Sequence, residues 1–235
     1  MNRIKIPGNR RTKILLLIIL VIISILIIIN IGLDNRKSIK VEEKASSEEH
    51  ISSEEEQIDK VEEKNSNNQE EETLYNEAYS LFFQGNYSGS IEKANNIVSK
   101  FPESYKAYNI RGIAKAYSIG FEEGMKDIDK SLQIKGDYGY ARFNKALNYE
   151  LNGKYDESLS WYDKALEVEN YMWSYYGKAS IYGRRGDVEN TILNLKKAIE
   201  VESAKDQESG IKKEARTEKD FDPVRGNKAF QEIIK

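Results

Sequence analysis

Cysteine is absent from the 235 residues, and histidine occurs once, at His50. The first absence excludes disulfides and thiolate chemistry and leaves the compartment open. The second removes Cys/His and Ser/His/Asp arrangements from the chain outside one solvated, Glu-rich stretch, where a lone imidazole is surface. No calcium-loop spacing, phosphate-cradling glycine loop or Gly-Lys-Ser/Thr motif occurs. A preponderance of one charge is lacking too. The net charge is −3, and residues 71–235 carry 25 basic against 27 acidic side chains. That balance does not fit the one-sided basic patch of a nucleic-acid binder, so no nucleic acid is expected as a partner. Catalysis, a metal and a cofactor are likewise not expected.

A long hydrophobic run is present. Residues 14–33 contain no charge and are built from Leu, Ile and Val, interrupted only by Ser24, Asn30 and Gly32. Twenty helical residues cross roughly 30 Å, the thickness of a bilayer core. A cleaved signal peptide is the rival reading. The run is longer than a usual signal core and no small-x-small site follows it, so a retained anchor is expected. Residues 1–13 form a basic tail with Arg3, Lys5, Arg10, Arg11 and Lys13 and no acid. Four basic residues (Arg36, Lys37, Lys40 and Lys44) follow the span. The acid-free tail tips the orientation. The chain is expected to be single-pass in the cell membrane, N-terminus cytoplasmic, with everything after Leu33 outside.

Residues 34–70 hold six basic and twelve acidic side chains and no aromatic one. Such a stretch buries too little apolar surface to offset the entropy of ordering, so a disordered acidic linker is expected there.

From residue 71 the chain repeats itself. In Asn152–Val168, Gly153 and Lys154 punctuate two helical patterns, and Ser158, Leu159, Tyr162, Ala165 and Leu166 line one helix face. Sliding the sequence by 34 residues aligns turns at Gly85, Ile119-Gly120, Gly153 and Gly186. It also aligns small residues before the turn (Ala78, Gly112, Ala146, Ala179) and after it (Ser90, Gly124, Ser158, Thr191). Uniformly small columns on paired helices mean close backbone approach. The pattern resembles the tetratricopeptide repeat (TPR) family, whose unit is a 34-residue helix–turn–helix. Lys115 and Arg142 depart from it where the family prefers an apolar residue, Ile97 stands where it prefers alanine, and only Pro102 keeps the inter-repeat proline.

The expected fold is an all-α solenoid of four units, at 71–104, 105–138, 139–171 and 172–203, closed by capping helices in 204–235. Helices are expected at Glu71–Gln84, Tyr87–Lys100, Tyr105–Ile119, Phe121–Ile134, Gly139–Asn152, Tyr155–Val168, Met172–Arg185 and Val188–Glu202. A polar helix over Asp206–Lys219 follows, and then a last one capped by Asp222 with Pro223 at its first position. Glu122, Glu123, Asp127 and Asp129 are expected on a solvated face, opposite Phe121, Met125, Ile128 and Leu132.

The resemblance implies binding in a concave groove lined by the first helix of each unit. On this sequence the groove residues would be Tyr75, Tyr79 and Phe83, then Asn109, Ile113 and Tyr117. Tyr140, Phe143, Asn144 and Leu147 follow, and then Trp173, Tyr176 and Ser180. Fifteen tyrosines against seven phenylalanines suit half-wet recognition surfaces. The lysine, arginine and asparagine positions with which part of the family clamps a C-terminal carboxylate hold Tyr75, Tyr79, Ile110 and Tyr140, with only Asn144 polar. An extended or helical peptide held by stacking is expected instead. The function expected is a membrane-anchored adaptor for a protein or peptide partner. The alternative is a self-associating component, a homo-oligomer in an envelope complex, without a discrete peptide ligand.

Overall fold

The computed structural model describes residues 66–203 and 210–235. The expected tail, membrane span and linker up to residue 65 lie outside the described residues. Among the described residues every regular element is helical, and no helix is long and apolar enough to cross a membrane.

Helix α1 covers residues 66–83 and pairs in sequence with α2, Tyr87–Lys100. The next hairpins are α3 (Tyr105–Ser118) with α4 (Phe121–Ile134), and α5 (Gly139–Leu151) with α6 (Tyr155–Leu166). The fourth is α7 (Met172–Arg184) with α8 (Val188–Ser203). After residue 209 come α9 (Gly210–Thr217), a short 3-10 turn at Lys219–Phe221, and α10 (Lys228–Ile234). Hairpin ends fall within two residues of the sequence reading except at the start of α1. Residues 66–70, expected in the linker, are helical. They contain no glycine or proline to stop a helix, and Glu70 reaches Lys100 of α2 at 2.5 Å.

The turns repeat because their hydrogen bonds do. At Gly85, Gly153 and Gly186 φ lies between 71° and 75°, the left-handed region where a Cβ is disfavoured. The residue after each glycine donates its N–H back to a helix carbonyl five residues earlier: Asn86 to Leu81, Lys154 to Tyr149, Asp187 to Tyr182. These are Schellman ends. The second turn is one residue shorter, and there Gly120 itself donates to Lys115 with φ 144°.

Between the helices of each hairpin the small columns meet. Ala78, Ser90, Ala146, Ser158, Ala179 and Thr191 are all fully buried. In the second hairpin both columns are glycine. A Cβ on Gly112 would stand 2.9 Å from the carbonyl oxygen of Gly124, and one on Gly124 would stand 2.9 Å from that of Gly112. In the third hairpin the Ser158 hydroxyl donates to the Ala146 carbonyl at 2.8 Å. At the two glycines of the second hairpin nothing larger fits without moving backbone.

The departures from the repeat pattern have physical reasons. Lys115 reaches Asp127 at 2.8 Å, while Arg111 holds the same carboxylate through two bonds of 2.6 and 2.7 Å. Asp127, expected on a solvated face, is therefore 6% exposed and joins α3 to α4. Its neighbour Asp129 pairs with Lys145 of α5 at 2.5 Å. Arg142 donates to the carbonyls of Gly136 and Lys164, tying the α4–α5 loop to α6. Ile97 is fully buried among Tyr75, Ala78 and Ile110.

The C-terminal segment packs on the last hairpin. Ile211, Ala215, Phe221, Val224 and Phe230 share a core with Tyr176, Ala179, Leu195 and Ala198. The approach is close: a Cβ on Gly183 of α7 would lie 2.8 Å from the Asp220 carbonyl oxygen. Arg225 pins the segment by donating to the carbonyls of Arg216 and Glu218, both at 2.6 Å. Two expectations change here. The polar helix is shorter, Gly210–Thr217, with 204–209 outside the described residues. The last helix is capped not by Asp222 but by Asn227, whose side chain accepts from the N–H groups of Ala229 and Phe230. Asp222 is instead paired with Arg225 at 2.9 Å.

Candidate functional site

The first helices of the hairpins share one face: α3 touches α5 and α5 touches α7, and Tyr79 of α1 meets Tyr140 of α5. The groove residues read from the sequence divide into three groups on that face.

One group is buried outright. Asn109 and Ile113 have no exposed surface, and Asn144 is 1% exposed with its amide donating to Asn109 at 3.0 Å. Expected to line the groove, the two asparagines instead join α3 to α5, Ile113 sits in the core with Tyr75, Ala78 and Ile97, and none of the three offers a partner surface. The reason is coverage: Asn109, Ile113 and Tyr117 follow one another a turn apart on one face of α3, and the neighbouring helices cover the first two while leaving Tyr117 42% exposed.

A second group fills itself. Tyr79 lies 5.9 Å from Tyr75, 4.6 Å from Phe83 and 6.4 Å from Tyr140, ring centre to ring centre. Tyr140 stacks on Phe143 and meets Tyr171 edge-on. What remains among Tyr75, Tyr79, Tyr138, Tyr140, Glu169 and Tyr171 is a recess of about 240 Å³. Burial pushes the Tyr138 hydroxyl up to about 12 and raises those of Tyr75, Tyr140 and Tyr171 as well. All four are protonated donors at neutral pH. Phe83, at 62% exposed, stands at the outer edge.

The third group stays open. Tyr117 of α3, Phe143 and Leu147 of α5, and Trp173, Tyr176 and Ser180 of α7 line a cavity of about 500 Å³. Its floor is Tyr162 of α6, 1% exposed, which reaches through the gap left by Gly177. A Cβ on Gly177 would collide with the Tyr162 ring. The Tyr162 hydroxyl donates to Glu150 at 2.6 Å. Burial holds the Glu150 carboxyl above the ordinary carboxylate range, against the opposing pull of the Tyr162 hydrogen bond and Arg184.

Several residues of this cavity escaped the sequence reading. Glu150 and Leu151 continue the Phe143–Leu147 stripe at helical spacing, and that spacing was the available signal. Arg184 likewise lies one turn beyond Ser180. Glu214, Glu218 and Asp220 come from the C-terminal segment, where no periodicity announces them. Asp220 accepts from Ser180 and pairs with Arg184 at 2.7 Å, which locks that segment to α7 as one wall. Among the described residues no three His, Cys, Asp or Glu side chains converge closely enough to hold a metal ion.

Comparison with known proteins agrees with this architecture. The family model for the tetratricopeptide repeat matches residues 140–171, the third hairpin with its turn into the fourth. No curated protein matches by sequence. Among solved structures, PilW, titled a widely conserved type IV pilus biogenesis factor, is similar at 18% identity and TM-score 0.53, covering 71% of this chain and 78% of that one. A thermophilic TPR protein of Thermus thermophilus, TTC0263, is similar at 18% identity and TM-score 0.52, with 55% and 73% covered. No enzyme family is indicated. By sequence, then, residues 140–171 match the tetratricopeptide repeat, and the hairpins around them share the fold of solved TPR structures.

Proposed function

We propose that this protein is a membrane-tethered adaptor that captures a peptide or a short segment of a protein partner in the groove between α5, α7 and the C-terminal segment. The observation that carries the reading is the open cavity of about 500 Å³, where aromatic side chains from three successive first helices face solvent. A cavity of that size, mostly apolar with a few convergent polar groups, suits one or two side chains of a bound peptide. The tyrosine-rich α1 end lies on the same face, but its rings fill one another's space and leave the binding to the α7 end. The likeness to PilW is one of fold and assigns no pilus role here.

Residues 14–33 supply the anchor in this proposal, with the basic tail in the cytoplasm and the hairpins outside. Because the chain has no cysteine, an introduced Ser47→Cys is its only thiol. Labelling of that thiol in intact cells by a membrane-impermeant maleimide is the expected result. Protection until lysis would reverse the orientation.

The groove is tested by photo-crosslinking in cells with benzoylphenylalanine at Leu151, on the cavity rim, or at Leu193 on α8. Both positions are 49% exposed, and only Leu151 lines the cavity. A discrete adduct is expected at 151 and absent at 193, and lost when Phe143→Ala and Trp173→Ala are combined. Equal adducts at both positions, or adducts only to a second copy of the chain, would replace the adaptor with the self-associating reading.

A further inference from the structure

We infer that the C-terminal end of this groove is a pocket for a cationic side chain, an arginine or lysine presented by the peptide partner. The inference rests on the groove reading above and names the chemistry the groove selects. Four carboxylates line the cavity (Glu150, Glu214, Glu218 and Asp220) against a single guanidinium, Arg184. That guanidinium is already committed to Asp220 at 2.7 Å. An acidic wall alone could be mere solvated surface.

The Tyr176 hydroxyl makes the difference. Tyr176 is 8% exposed, and its hydroxyl is buried without a hydrogen-bond partner. Its ring packs edge-on against Trp173 and Phe221. The hydroxyl sits in the field of Glu214, Glu218, Asp220 and Glu150, in that order of strength. Buried polar atoms are paired in folded proteins, and an orphan in a cavity wall marks where a ligand atom or water completes the set. A guanidinium or ammonium entering here finds an acceptor in that hydroxyl and charge-assisted acceptors in the carboxylates.

The approach fits a long basic side chain. Phe143, Leu147 and Trp173 give an apolar passage for its methylene stem. Trp173 adds a ring face that attracts a cation. A bare divalent ion is the competing occupant of an acidic pocket. The carboxylates do not converge closely enough to ligate one, whereas a guanidinium spreads five donors over a wider span. An acidic peptide is rejected by the same wall.

The test is calorimetric titration of the full chain in detergent with three probes: acetyl-Gly-Leu-Arg-Leu-Gly-amide and its norleucine and glutamate counterparts. The arginine peptide is expected to bind roughly tenfold to a hundredfold tighter than the norleucine one, the range for hydrogen bonds to charged groups. The glutamate peptide is expected not to bind. Glu214→Gln with Glu218→Gln should erase the arginine preference. Glu214 is exposed and Glu218 half-buried, so the thermal transition should stay in place. Glu214→Gln alone, expected to weaken the preference, is the fallback if the double variant unfolds. Equal binding of the arginine and norleucine peptides leaves the groove standing and overturns the cation pocket. No binding of any probe overturns both. A peptide of residues 1–13, itself basic, is the fourth arm. If it binds far tighter than the arginine probe, the occupant is the chain's own segment, and the external partner is overturned.

Discussion

At the α1 end of the groove, Tyr79 touches Tyr75, Phe83 and Tyr140. At the α7 end, Trp173 and Tyr176 stand beside a cavity of about 500 Å³. Both ends are lined by aromatic rings from first helices, so composition does not separate them. The difference lies in what faces the rings. At the α1 end the opposing surface is more rings, which satisfy one another. At the α7 end it is the chain from α9 through the Lys219–Phe221 turn, which brings carboxylates and holds itself off the α5 helix. An aromatic stripe keeps an open cavity when a wall stops it from closing on itself.

The strongest way to break the comparison is to remove the wall. Phe221 is fully buried between α7 and α10, and Phe221→Ala is expected to cost about 3–5 kcal/mol. Denaturant unfolding would measure the loss, and probe binding should vanish with it. An unchanged midpoint would mean that the segment is not part of the fold's core.

Next in size is overpacking of the hairpin beneath the open end. Ala146 is fully buried, with its carbonyl bonded to Ser158. Ala146→Leu should cost about 1–3 kcal/mol by forcing α5 from α6. A thermal transition at full strength would contradict the alignment of small columns.

A matched pair then sharpens the contrast between the ends. Tyr79→Ala should lower stability by about 1 kcal/mol, since its ring contacts are intramolecular, and spare peptide binding. Trp173→Ala should weaken binding about tenfold or more, as expected of a groove anchor, with a smaller effect on the midpoint. Reversal of the two outcomes would move the site to the α1 end.

The smallest effect is in pH. Burial raises the Glu150 carboxyl above the ordinary range, so the folded chain binds more protons than the unfolded chain between the unfolded and folded values. Stability from this group is therefore highest below that window, falls as pH rises through it, and is level above it. The groups facing Glu150 are Tyr162 from α6, Ser180, Arg184 and Tyr176 from α7, Asp220 from the C-terminal wall and Tyr117 from α3. Glu150→Gln keeps an acceptor for the Tyr162 hydroxyl and removes the titration. The variant should gain stability relative to the parent as pH rises across the window, measured by paired denaturant curves. A constant difference would show that Glu150 is not desolvated.

Much of this was legible in the chain. The 34-residue period, the turn glycines and the small columns are local demands of two helices packed at short range, and each leaves its mark on a residue type. Helix ends were readable for the same reason. The groove was half legible. Spacing picks out Phe143, Leu147, Trp173 and Tyr176, which line the cavity, but the same arithmetic enrols Asn109, Ile113 and Asn144, which are buried. Helical periodicity says which residues share a face, and how far that face is covered depends on the neighbouring hairpin. Asp127 shows the converse. It reads as a solvated acid and is instead clamped by Arg111 and Lys115.

The sequence by itself determined the repeat, because steric limits at Gly112, Gly124 and the turn glycines admit few other residues. Only the tertiary structure decided which aromatic rings stay available and that an acidic wall stands opposite them. Glu214, Glu218 and Asp220 lie more than sixty residues from Glu150 along the chain, and no local rule links them. Their meeting is fixed by where Phe221 and Phe230 find a hydrophobic surface to cover on the last hairpin.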